Sequence, residues 1–118
     1  MNLIIEQLLD IFSEIIRRNS FITFAYSRLE DRWYYLSMKY EDTYDCAEVV
    51  TDPYFAYKKM LDECRYCWLK ENGLLHPDLS LKENTDFLPP DIARLLWEFT
   101  APYEQAAQKV LAQYHPVR

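Results

Sequence analysis

Cys64-Arg65-Tyr66-Cys67 is the one arrangement in this sequence with the spacing of a chemical motif. A redox dithiol places its nucleophilic cysteine at the start of a helix, where the dipole stabilises thiolate. This pair falls in the last two turns of a segment with helical spacing, where the field raises a thiol pKa instead. A zinc site would recruit Cys46 and His76, but structural zinc sites ordinarily use two close ligand pairs and only one is present. Leu61, Cys64 and Trp68 fall on one helical stripe, so Cys64 is expected to be a small buried hydrophobe.

The next residues that could do chemistry are His76, Asp78 and Glu83, in a stretch from 74 to 88 that contains Pro77 and has no sustained period. They would make a small enzyme or a metal-binding protein if the loop brought them together, since metal-assisted chemistry needs convergent carboxylates on rigid elements. No serine or cysteine carries a local signature that would make it the nucleophile for His76. Glu41 and Asp42 are adjacent, so on a strand their side chains point to opposite faces and do not converge. Gly73 is the only glycine. A Walker loop, a dinucleotide fingerprint and a glycine-flanked serine elbow all need more than one, so nucleotide-dependent and hydrolase chemistries are excluded at the level of motif. The sequence implies no cofactor and no metal.

Charge is more informative than any motif. Between Lys39 and Lys58 there is no basic residue, while Glu41, Asp42, Asp45, Glu48 and Asp52 are interleaved with Tyr40, Tyr44, Tyr54, Phe55 and Tyr57. Acidic charge steers the encounter with a cationic partner, and tyrosines supply rigid contact area at low entropic cost. The expected partner-binding residues are therefore Tyr40, Glu41, Asp42, Tyr44, Asp45, Glu48, Tyr54 and Tyr57. The net charge of −6 opposes phosphate neutralisation, so nucleic acid is not an expected partner. No apolar run approaches the roughly 20 residues needed to span a bilayer. Three cysteines cannot all pair within one chain, and Glu6, Asp10 and Glu14 interrupt the apolar N-terminal run. A reducing cytoplasm is the expected compartment.

These residues need elements to hold them. Residues 3–18 carry Ile4, Leu8, Ile11 and Ile15 on one stripe with acids opposite, the pattern of an amphipathic helix with a wide buried face. Residues 21–27 are aromatic and β-branched, 28–32 are polar enough to turn, and 34–41 alternate with period two, predicting a hairpin. If Tyr34, Leu36, Met38 and Tyr40 face the helices, Tyr35 points outward. A third strand over 44–50 follows, its alternation blurred by Asp45 and Glu48. Asp52-Pro53 predicts a helix start and Asn72-Gly73 its end, giving a helix from Pro53 to Glu71. Pro89-Pro90 open a further helix that Pro102 kinks or restarts.

The 118 residues fit a single domain, residues 1–118, of α+β class, with a small antiparallel sheet of two or three strands over about residues 20–50. The sheet packs against an N-terminal helix and C-terminal helices. A mainly α fold is the competing expectation. The expected function is that of a non-catalytic domain binding a basic protein, in the manner of immunity proteins and inhibitors that block a basic toxin or enzyme. That comparison rests on charge and size, with no shared motif. The alternatives are an acidic secretion or assembly chaperone, homodimeric through the apolar stripe of the first helix, and a small enzyme or metal-binding protein built on the 74–88 loop.

Overall fold

The computed structural model describes residues 2–19, 22–40 and 43–115. Their order is α1 (Asn2–Ile11), α2 (Ser13–Asn19), β1 (Ile22–Ser27), β2 (Arg32–Tyr40), β3 (Thr43–Val49), α3 (Pro53–Glu71), α4 (Leu81–Asp86) and α5 (Pro90–Leu111). The fold is α+β, with five helices and one antiparallel sheet in the order β1-β2-β3.

The apolar stripe of the first 19 residues organises the core. Ile5, Leu8, Phe12 and Ile15 are all buried, and Phe12 stacks on Tyr103 of α5 at 5.6 Å. The single helix predicted for residues 3–18 is divided at Phe12. Hydrogen bonding nevertheless carries across, from Phe12 N to Leu8 O at 3.1 Å and from Ile16 N to Phe12 O at 3.0 Å. From α3, Ala56, Met60, Leu61, Cys64 and Cys67 enter the same cluster, and α5 adds Ala107 and Leu111. Arg65 ties the two long helices at the surface: its guanidinium meets Glu104 at 3.3 Å and lies over the Trp97 ring at 4.9 Å.

The helix ends of α3 follow from sequence chemistry. Asp52 accepts a hydrogen bond from Phe55 N at 3.1 Å, satisfying one orphan donor of the first turn, while Pro53 at the first helical position sacrifices none. At the far end Gly73 takes φ +68, Leu74 N donates to Leu69 O at 2.9 Å and Gly73 N to Lys70 O at 3.2 Å. That pair of bonds is the Schellman closure, and it needs the left-handed conformation that only glycine adopts freely. Proline at 102 does not break α5. The Glu98 carbonyl loses its usual donor, but Leu96 and Thr100 before it and Ala107 and Leu111 after it are buried and anchor both halves.

Two features differ from expectation. The stretch 74–88 is not structureless: α4 forms within it, capped by Ser80, whose Oγ accepts from Glu83 N at 3.1 Å and donates to Glu83 Oε1 at 3.0 Å. The sheet also presents the opposite face to the helices. Phe24 pairs with Tyr35 and Tyr26 with Trp33, and it is Trp33 and Tyr35 that are buried, with Tyr35 edge-on to Phe55 of α3 at 5.9 Å. Tyr35 therefore points inward and Tyr34 and Leu36 outward. The register is decided by β1, whose bulkier residues Ile22 and Phe24 are buried and whose antiparallel partners are Ser37 and Tyr35.

Burial should outweigh capping in this fold. Leu8→Ala is expected to destabilise the domain by about 2–5 kcal/mol, against about 1 kcal/mol for Asp52→Ala. Urea denaturation of both variants checks this, and a larger loss from the cap than from the core would contradict the assigned architecture.

Candidate functional site

The sequence-predicted binding residues separate into three groups. Glu41 and Asp42 lie outside the described residues, and Tyr40, Tyr44 and Asp45 are described as strand backbone only. Glu48 is exposed and pairs in register with the buried Tyr35, so it sits on the rim of the helix-covered side. Tyr54, in the first turn of α3, is 50% exposed and meets Tyr114 edge-on at 6.3 Å. Tyr57 is half-buried against the core. Burial raises its phenol pKa, a hydrogen bond with Gln108 works in the opposite direction, and the Glu104 carboxylate raises it further. Tyr57 is thus mainly a packing residue, and Asp52 is a helix cap.

The broad apolar area that sequence reading missed is on the open face of the sheet. Two rows run across the three strands there: Thr23, Leu36 and Ala47, then Ala25, Tyr34 and Val49. Not one of these six is charged, and Ala25, Ala47 and Val49 are exposed, Val49 by 38%. A solvated sheet face normally alternates to polar residues, so two uncharged rows, bordered by Arg32 opposite Ser27, are informative. The hairpin that ends it is pinned. Tyr26 Oη donates to Asp31, Tyr34 Oη donates to Glu30, and Glu30 N donates to Ser27 Oγ at 3.2 Å. The bond to Glu30 is the main cause of a raised Tyr34 phenol pKa. Asp31 takes φ +53, a left-handed conformation that aspartate tolerates better than most side chains. On this fixed turn Leu29 is 97% exposed. The missed signal lay in β1, where placing Ile22 and Phe24 inward forces Tyr34 and Leu36 outward through the hairpin.

The loop residues are organised for structure. Asn84 is buried, accepts from His76 N at 2.8 Å, and donates from Nδ2 to His76 O, Leu79 O and Ser80 O at 3.2, 3.3 and 2.9 Å. Glu83 is engaged in the Ser80 cap. Among the described residues no three of histidine, cysteine, aspartate and glutamate form a group able to hold a metal ion, so His76, Asp78 and Glu83 do not converge for that purpose. The same holds for Cys64, Cys67 and His76, while the Cys46 side chain lies outside the described set.

Cys64 and Cys67 are both buried, and neither is in a disulfide. Cys67 Sγ donates to Glu63 Oε1 at 3.7 Å. Burial, reinforced by the neighbouring Cys67, pushes the Cys64 thiol up to about 12. Cys64 is therefore held as the thiol, the less reactive form. Among the described residues no helix is long and apolar enough to cross a membrane. No family model, curated protein or solved structure matches the chain.

The thiol shift carries a sign that can be measured. Between an ordinary thiol value of 9.0 and about 12, folded Cys64 keeps a proton that the unfolded chain has lost, so stability should fall as pH rises through that window. Tyr103, also raised chiefly by burial, acts in the same direction. Denaturant midpoints of wild type and Cys64→Ala on the alkaline side of pH 9 should therefore decline more steeply for wild type. Parallel declines would mean that the thiol does not carry the effect.

Proposed function

We propose that this chain is a non-catalytic binding domain for a basic protein, using the β2-β3 arm of the sheet as its contact surface. The narrower form of the proposal is an inhibitor or immunity-type protein that occludes a basic toxin or enzyme. The observation that carries it is the uncharged centre of the open sheet face, where Ala25, Tyr34 and Val49 lie side by side in register and the core helices occupy the other side. An apolar centre beside charged surroundings is the usual anatomy of an interface.

Charge supplies the partner's chemistry. Residues 28–52 hold seven acids and three bases, so they carry most of the chain's net −6 and a cationic surface would be drawn to this part of the molecule. Leu29, fixed at the hairpin tip, adds a preorganised apolar contact with little ordering entropy left to lose. The burial of Ile4, Leu8 and Ile15 within the single chain supports this reading over the dimeric chaperone, which would use that stripe as its interface. The enzyme reading loses Glu83 to a helix cap.

The test is capture from cell extract with immobilised wild type and with the double variant Glu48→Lys, Val49→Lys. Both positions are exposed, and far-UV circular dichroism checks that the fold is kept. The expected partner is a basic protein, released by raised salt and bound about tenfold or more weaker by the variant. Equal retention by the variant, or a partner that is itself acidic, would refute the reading.

A further inference from the structure

The segment joining α3 to α5 forms a second surface, separate from the sheet. Two recesses lie in it, one of about 190 Å³ and one of about 200 Å³. His76 and Leu79 line both, so the two recesses are neighbours on either side of a shared wall, here called the two lobes of a groove. Tyr66, Leu75 and Leu81 close the first lobe; Leu74, Phe87 and Leu88 close the second. Phe87 is 74% exposed at the end of α4, an aromatic ring placed where it contributes little to the fold.

The groove is preformed. Asn84 lines the second lobe and its four hydrogen bonds fix His76, Leu79 and Ser80 relative to α4. The connecting segment is acidic: residues 71–91 contain Glu71, Asp78, Glu83, Asp86 and Asp91 against Lys82, while on the α3 side Arg65, next to Tyr66, is paired with Glu104. Glu71 is neutralised by Arg18 at 3.4 Å. The other four are exposed, and each is within two residues of a lining side chain. Apolar lobes in an acidic surround match an occupant with the inverse pattern, apolar side chains in a basic one.

We propose that this groove docks a basic segment of another protein, which inserts one apolar side chain into each lobe while its lysines or arginines face Asp78, Glu83, Asp86 and Asp91. The site is independent of the sheet face. One partner could span both, in which case two weak contacts act together through effective concentration.

The probe is a panel of labelled lysine-rich peptides carrying two leucines or two phenylalanines one helical turn apart, with glutamate-rich peptides of the same apolar spacing as controls. Fluorescence anisotropy should show saturable binding of at least one basic peptide, weakened by salt. Phe87→Ala and, separately, Asp86→Lys with Asp91→Lys should each reduce affinity by about tenfold. All three positions are exposed, so these variants are expected to remain folded, which circular dichroism verifies. Backbone amide shifts on binding should map to residues 74–91, with the Glu48→Lys, Val49→Lys variant binding as wild type does. The proposal is overturned if no basic peptide saturates, if the acidic controls bind equally, or if neither groove variant weakens binding. It is also overturned if the groove variants abolish a dimer seen by sedimentation in the absence of peptide, since a second copy would then be the occupant.

Discussion

The burial of one apolar stripe, Ile5, Leu8, Phe12 and Ile15, is the constraint on which the other elements depend. Two long helices and a three-stranded sheet contribute to the cluster this stripe forms, and Phe12 lies against α5 through Tyr103. A three-stranded sheet with one uncovered face contributes limited apolar area of its own, so its inner side has to close on something large. The aromatic pairs Phe24 with Tyr35 and Tyr35 with Phe55 perform that closure. Outside this cluster Leu69 and Leu96 are also fully buried, while the hairpin tip and the 76–84 turn are set by hydrogen bonds and turn geometry.

That division explains what could be read from the sequence. Elements with strong local chemistry were legible to the residue: Asp52-Pro53 and Asn72-Gly73 bound α3 as expected, because a cap and a left-handed glycine act within a few residues of chain. The α+β class and the hairpin also followed from local periodicity. The face of the sheet did not. Residues 33–38 are large or apolar on both sides of the strand, so alternation alone leaves the inward side undecided, and only the antiparallel register with Ile22 and Phe24 settles it. The short helix α4 was hidden for a similar reason, since six residues are too few to display a period and its cap lies in a polar run.

The candidate site was legible in its charge and less so in its geometry. An excess of acid over base is a property of composition and survives any arrangement of the chain. Exposure is a property of packing, and it moved Tyr57 inward while bringing Tyr34 and Val49 toward solvent. The burial of Cys64 was legible as well, because its position along a helix can be inferred from the stripe it shares with Leu61. The groove beside His76 had no linear signature at all: its walls come from α3, the connection and α4, and their meeting depends on one asparagine.

That asparagine gives the connection an energetic character unlike the rest of the domain. The core resists opening through apolar area, which is what denaturants and heat capacity register. The 76–84 turn is held instead by four polar bonds converging on a single amide. A corner secured in this way can open and reclose as its own small unit while the helices remain packed. Slow amide exchange senses such an opening, whereas a melting curve of the whole domain passes over it.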